Sequence, residues 1–424
     1  MKLQDWFRII SRPRGRLWVA PTVGALAAVV LAGVTLGVDT VVEWRDLPVP
    51  VFKGEADTAR SVLGAIATAA ATLIALIFNV IAVVIQLSSQ QYSPRALSLL
   101  VQDRPSYWTI GVFVATFTYA LTVMLSLRLT IAEEDREALA SLAVTVAFVM
   151  AVVSLGAFAA YSNHIIHTTR VSSIVKLISD KTRLTIAQYY TEPYVDAPEA
   201  ATPSGPADVV IDSPREGAFS DWNDRDLSEA AARYECTIVV LPTLGAFVPA
   251  DAPLLELRGG RPPGVEQHVS ITSQRTFERD VAYGMRLLVD VATRGLATGA
   301  NDATTAVQAI DQLHDLLRRL VTRALPRVHV LKVEGQPRVW LHMSTWEDLL
   351  HLAVDEIRQD GSDSLQVVRR LRSMLDDLAG VAPASRRPSI EHQLELLDTA
   401  VAESFTDERV RQFARQPDAR GLGF

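Results

Sequence analysis

The chain changes its preferred solvent about a third of the way along. Four stretches, Leu17–Val38, Val62–Leu87, Tyr107–Leu127 and Ala138–Tyr161, contain no Asp, Glu, Lys or Arg and run for about 20 to 26 residues each. About 20 residues of helix cross the hydrocarbon core of a bilayer. Four such runs on short connections cannot be interior helices of a water-soluble protein, because too little chain surrounds them to cover every face. The pattern predicts a four-helix transmembrane domain over 17–161. The first run leads into Asp39 and Glu43 without a small-residue cleavage site, so it reads as a retained span and not as a signal peptide.

After Tyr161 the periodicity becomes amphipathic. Ile166, Ile174 and Ile178 recur among Ser, Lys and Asp, which continues the fourth span as a stalk helix, and a Pro, Ala and Gly-rich linker follows; stalk and linker together occupy 162–217. Short β-rich runs such as Thr237–Leu241, with one helix near Asp224–Tyr234, predict a small β domain over 218–272. Gly245-Ala246-Phe247-Val248 followed by Pro253-Leu254-Leu255 is similar to the turn and re-entry of a barrel-sandwich hybrid. With no lysine between Lys181 and Lys332, covalent cofactor attachment there is excluded. Helical spacing over Phe277–Leu296 and Ala303–Leu320, a hairpin around Glu334–Pro337 and further helices make 273–424 a helical domain with a β-hairpin. The fold class is thus membrane α-helical, with four transmembrane helices, plus an α+β cytoplasmic region containing a small β-barrel-like unit and a helical C-terminal part.

Basic residues next to the spans give the orientation, since Lys and Arg collect on the cytoplasmic side. They cluster before the first span (Lys2, Arg8, Arg12, Arg14, Arg16), in the second connection (Arg95, Arg104) and after the fourth (Arg170, Lys176, Lys181, Arg183). The first and third connections are mainly acidic. Both termini are therefore expected in the cytoplasm. Trp6, Phe7, Ile9 and Ile10 interleave with Arg8 and Arg12, which suits an interfacial N-terminus over 1–16.

The second span carries a polar stripe. Ser61, Thr68, Thr72, Asn79 and Gln86 fall within a sector of roughly 40° at about 100° per residue. Lipid cannot satisfy an amide, so the stripe must face protein or water. Two readings stay open: a helix-packing seam in which Asn79 and Gln86 bond across the interface, or the lining of a pore built from several copies. Four spans are too few to enclose a wide path, so transport requires a homo-oligomer.

The run Gln86–Arg95, followed by Gln102-Asp103-Arg104 and by Gly111, Phe113, Thr116, Phe117 and Tyr119, resembles the bacterial predicted-membrane-protein family filed as domain of unknown function 2254. The resemblance implies four N-terminal spans, a soluble C-terminal region and residence in the bacterial inner (plasma) membrane; it implies no activity. A Ser-Pro-Gly-Ile-Asn-Asp-Pro turn usual in that family is matched only at Gly299, Asn301 and Asp302. Ser93-Pro94 ends regular helix, and Arg95 and Arg104 then sit at headgroup level, as anchors of the hairpin or as parts of a gate. The Gly299–Asp302 turn reads as a glycine exit with Asn301 or Asp302 capping the next helix. Its rival is a ligand site in which Asp302 works with Arg294, Arg279 or Asp280.

The remaining composition narrows the chemistry. A net charge of −7 with scattered basic residues gives no footprint for nucleic acid. The single cysteine, Cys236, excludes a disulfide framework and a multi-cysteine zinc site. Asp311, His314 and Asp315 could be written as a metal trio and His342 with Asp348 as an acid/base pair, but solvated faces explain such groups. His164 and His167 lack a completing ligand. No nucleophile, phosphate-loop or nucleotide motif is present, so no catalytic, cofactor or metal residue is expected and the chain is not read as an enzyme. The functional expectation is a homo-oligomeric ion channel or pore in the lipid bilayer with a cytoplasmic assembly or gating domain. The alternative is a membrane-anchored scaffold or regulator that binds an unidentified cytoplasmic protein.

Overall fold

The computed structural model describes residues 16–42, 51–91, 104–131, 141–168, 171–196, 201–297 and 302–423. The interfacial N-terminal segment 1–15 and the positions Ser93, Pro94, Arg95, Gly299 and Asn301 lie outside the described residues. The chain divides into two compact units, the second beginning in the main at Val171.

The first unit consists of α1 (Arg16–Asp39), α2 (Ala56–Gln91), α3 (Arg104–Ile131) and α4 (Ser141–Thr168). Each contains a stretch long and apolar enough to cross a membrane: Val19–Asp39, Ala56–Gln86, Tyr107–Leu127 and Ser141–Ile165. α1 and α3 approach most closely. A Cβ added at Gly24 would stand 2.6 Å from the Gly111 carbonyl oxygen, and one added at Gly111 would stand 3.1 Å from that of Ala20. Small residues let two backbones come this near, which is how helices associate where lipid supplies no hydrophobic drive. Ala28 and Ala32 continue the seam on α1, and Tyr119, Ala120 and Val123 continue it on α3.

Three polar contacts inside this bundle join different helices. The Thr35 hydroxyl and the Tyr119 phenol lie 2.8 Å apart, Tyr119 also donates to the Ala143 carbonyl at 3.2 Å, and Thr116 meets Ser154 at 2.9 Å. Asp39, at the end of α1, accepts from the backbone N–H groups of Leu142 and Ala143 at 2.9 and 3.0 Å. That satisfies donors of the first turn of α4 and places a negative charge at its positive end. α2 lies at the edge of the group. Its buried described side chains are Ala59, Leu63, Ile66, Ala67, Ala70 and Ile77, which form a narrow face.

The second unit begins with α5 (Val171–Tyr189) and continues through β1 (Val209–Asp212), β2 (Gly217–Trp222), α6 (Asp224–Arg233), β3 (Thr237–Thr243), β4 (Phe247–Val248), β5 (Pro253–Arg258) and β6 (Val269–Thr272). It is completed by α7 (Val281–Leu296), α8 (Ala303–Leu320), β7 (Val328–Val333), β8 (Gln336–His342), α9 (Trp346–Asp360), α10 (Leu365–Val381), α11 (Arg387–Ser404) and α12 (Glu408–Ala414). The strands form a five-stranded sheet in the order β1-β5-β3-β8-β7 and a three-stranded sheet β4-β2-β6. Among the described residues they do not close into a barrel, so the barrel-like unit expected over 218–272 takes the form of two sheets. The reason lies far along the chain: β8 adds to β3 in parallel register, Ile238 opposite Val339, and occupies the edge through which a local barrel would have closed.

The β7–β8 hairpin has a two-residue turn in which Glu334 and Gly335 both take positive φ, 50° and 81°, the backbone twist that matches a right-handed strand pair. α7 is buried over most of its circumference and packs against α5, α8 and α9, while its charged Arg286 pairs with Asp290 and Glu356. Gly284 permits the contact with α5, since a Cβ there would meet the Thr182 hydroxyl at 2.0 Å.

Candidate functional site

All five stripe residues, Ser61, Thr68, Thr72, Asn79 and Gln86, are exposed within the chain. At about 100° per residue the stripe centres roughly 180° from the buried face of α2, so α2 turns its polar side directly away from its own bundle. The hydroxyls are satisfied locally. Ser61 donates to the Asp57 carbonyl at 2.9 Å, Thr68 to Gly64 at 2.8 Å and Thr72 to Thr68 at 2.8 Å. The amides differ: neither Asn79 nor Gln86 forms a side-chain hydrogen bond among the described residues.

Depth separates those two. From the middle of the apolar stretch Ala56–Gln86, Asn79 lies about 12 Å along the axis and Gln86 about 22 Å at about 1.5 Å per residue. A hydrocarbon core about 30 Å thick ends about 15 Å from its midplane. With the midplane placed at the middle of that stretch, Gln86 would reach the headgroups and Asn79 would lie inside. An amide left without a partner in apolar surroundings costs roughly 2–7 kcal/mol.

Of the other sequence-selected residues, Arg104 begins α3 and its side chain lies outside the described residues. Asp302 caps α8, accepting from the Thr305 N–H at 3.1 Å and the Thr305 hydroxyl at 2.6 Å. Of the groups considered as its ligand-site partners, Asp280 and Arg279 are engaged elsewhere. Buried Asp280 caps α7 through the Tyr283 N–H at 2.9 Å and receives both arms of Arg275 at 2.8 and 2.9 Å. Arg279 pairs with Asp221 and Asp224.

The Asp311, His314, Asp315 trio is dispersed among arginines. Arg370 donates to Asp311 at 2.6 Å, His314 sits between Asp377 and Arg370 at 2.8 and 3.0 Å, and Asp315 accepts from Arg183 and Arg319 at 2.7 and 2.9 Å. Burial pushes the Asp315 carboxyl up, yet hydrogen bonds from Arg319 and Arg183 hold it below the usual range. His342 lies 2.9 Å from the Val240 carbonyl through Nδ1, and Asp348 belongs to the capping box of α9 with Thr345. Cys236 is fully buried and burial raises its thiol pKa, the environment of a packing residue and not of a nucleophile. Among the described residues no group of three or more His, Cys, Asp or Glu side chains is placed to hold a metal ion.

Pattern reading missed one feature of the second unit. A cavity of about 150 Å3 opens where Tyr189 ends α5 and Tyr190 follows it, Trp222 ends β2, Arg279 precedes α7 and His329 lies on β7. Arg279 holds a left-handed backbone, φ 57°, which a non-glycine residue adopts at a cost that packing must offset. Its guanidinium lies 4.3 Å from the centroid of Trp222 and 4.7 Å from that of Tyr189, with Asp224 at 2.7 Å and Asp221 at 3.0 Å. Tyr190 donates to the Arg279 carbonyl at 2.9 Å. Burial lowers the pKa of His329 below its ordinary value. The lining runs from Tyr189 to Ser344, and no local period brings these residues together.

Four long apolar helices followed by an α+β unit define a multi-helix membrane protein. The chain belongs to the family described as "Predicted membrane protein (DUF2254)", whose model matches residues 14–377. It is similar to the uncharacterized protein Rv1290c of Mycobacterium tuberculosis (strain ATCC 25618 / H37Rv) and to the uncharacterized protein Mb1321c of Mycobacterium bovis. Each is 28% identical over 428 residues, covering 97% of this chain and 81% of the relative. No solved structure matches the chain.

Proposed function

We propose that the protein is a homo-oligomer of the bacterial plasma membrane in which α2 of each copy turns its stripe toward a shared axis and lines an uncharged polar path, with both termini cytoplasmic and the second unit assembling or gating it. One observation carries this reading: the stripe points away from the chain's own bundle, and its Asn79 lies well within the apolar stretch Ala56–Gln86. A second copy of the same stripe is the simplest partner, because an amide can both donate to and accept from its own kind. Rings of hydroxyl and amide groups without a titrating side chain suit a passive path better than a coupled carrier. No catalytic step is part of the reading, since Asp311, His314, Asp315, His342 and Asp348 are engaged in ion pairs, hydrogen bonds or capping.

The test is single-particle imaging of the protein in lipid nanodiscs together with flux into liposomes. A closed ring with Thr72 and Asn79 toward its axis, and flux altered by Thr72→Trp, supports the pore. A monomer, or an oligomer whose stripe faces lipid, overturns it. An oligomer without flux would favour the second reading, a membrane-anchored scaffold whose α2 stripes merely pack; the cavity beside Arg279 is the observation in its favour.

A further inference from the structure

Three side chains meet where α9 packs against α11, and no arrangement of protons satisfies them all. His351 and Asp355 stand one turn apart on α9, with Nδ1 and Oδ2 at 3.0 Å. Gln393 on α11 is fully buried and reaches the same point. Its amide nitrogen lies 3.0 Å from His351 Nδ1 and 2.8 Å from Asp355 Oδ1, while its Oε1 is buried without a hydrogen-bond partner. Nδ1 carries either a proton or a lone pair. With a proton it serves Asp355 and confronts the amide N–H; without one it accepts from Gln393 and turns its lone pair on Asp355.

The two ends of an amide are nearly equal in shape and exchange by a half-turn of the last side-chain torsion. That turn brings Oε1 to the meeting point, where it accepts from a protonated Nδ1 but faces Asp355 Oδ1, acceptor against acceptor. A cation removes the conflict, because Nδ1, Oδ2 and Oε1 can then all aim lone pairs at one centre. The spacing fits. Ligand atoms bound at about 2.0–2.2 Å, at angles between right and tetrahedral, stand about 2.8–3.6 Å apart, and the contacts here are 3.0, 3.0 and 2.8 Å. The His351 and Asp355 side chains are 46% and 36% exposed, so an ion enters from solvent and water completes its shell, while packing holds Gln393 at the foot of the site. Arg358 approaches Asp355 on Oδ1, at 3.3 Å, and leaves Oδ2 to the ion. The third donor is an amide, so the group is not one of three His, Cys, Asp or Glu side chains.

We propose that His351 Nδ1, Asp355 Oδ2 and Gln393 Oε1 bind a divalent transition-metal ion of the zinc class, which ties α9 to α11. Imidazole nitrogen with oxygen donors suits such an ion, and the site does not depend on the pore. A proton on Nδ1 leaves to solvent as the ion enters, since only neutral imidazole is a ligand.

The experiment is competition for Zn2+ at neutral pH between the full-length protein in nanodiscs and a chromophoric chelator, with wild type, His351→Ala and Gln393→Leu compared. His351 is exposed, so its removal spares the core, and leucine keeps most of the volume of Gln393 without its amide. The expected result is one equivalent of Zn2+ bound by the wild-type protein and affinity about tenfold or more weaker in each variant, with the denaturation midpoint raised by Zn2+ in the wild type alone. Absence of a stoichiometric site in the wild-type protein overturns the proposal. So does affinity lost in His351→Ala but kept in Gln393→Leu, which reduces the site to a chelate on α9. If Gln393→Leu does not fold, Asp355→Asn takes its place, and unchanged affinity there overturns the proposal equally.

Discussion

The α1–α3 seam and the outer side of α2 are made from the same kinds of residue and end in opposite surroundings. Along the seam Gly24, Ala28, Ala32, Thr35, Gly111 and Tyr119 pack within one chain, and each hydroxyl finds a partner on another helix. On α2 the hydroxyls turn back to their own helix and Asn79 finds no partner among the described residues. The difference teaches that small and polar residues in a span mark a contact without saying whose contact it is. The bundle packs through α1, α3 and α4 and leaves the α2 stripe exposed.

The largest effect is expected where backbones touch. Gly24→Leu drives a side chain into the Gly111 carbonyl, and overpacking of this kind costs about 3 kcal/mol or more; steric-trap unfolding in bicelles should show the membrane unit destabilised or unfolded. Gly284→Ala applies the same rule in the second unit. Alanine in a helix is worth about 1 kcal/mol over glycine, yet here its methyl meets Thr182. The net change is therefore expected to be a loss of about 1–3 kcal/mol, read from the denaturation midpoint.

Asn79→Leu should separate the two surfaces. Unfolding of the single chain stays unchanged, while self-association, followed by energy transfer in liposomes, weakens about fivefold for a bond worth about 1 kcal/mol. Equal loss in both measurements would mean that the stripe packs within the chain after all. The smallest effect is titration of His329. Its folded pKa lies below the ordinary 6.5 because burial disfavours the imidazolium, so between the two values the unfolded chain binds more protons. Its contribution is fully present above pH 6.5 and is lost as the pH falls through the lowered value. His329→Phe should flatten that part of the stability profile, and an unchanged slope would place the proton elsewhere.

Much of the molecule was legible along the chain because its signals are local. The four spans follow from uninterrupted apolar length, α6 from the run near Asp224–Tyr234, and the hairpin from the turn residues around Glu334–Pro337. Reading failed where distant pieces meet. The hairpin strand β8 joins β3 across about a hundred residues, which leaves two sheets where a local barrel was expected. Asp311, His314 and Asp315, read along the chain as solvated surface groups, are each claimed by an arginine from another element.

The sequence by itself determined that this is a membrane protein, how many helices are long and apolar enough to cross, and that one of them carries a polar stripe, since hydropathy and helical period are properties of neighbours. Only the tertiary structure decided that the stripe faces outward and that Trp222, Arg279, Tyr189 and His329 enclose one cavity. The direction of a helix face, and the company a side chain keeps, depend on which distant surfaces pack first and leave the remainder exposed.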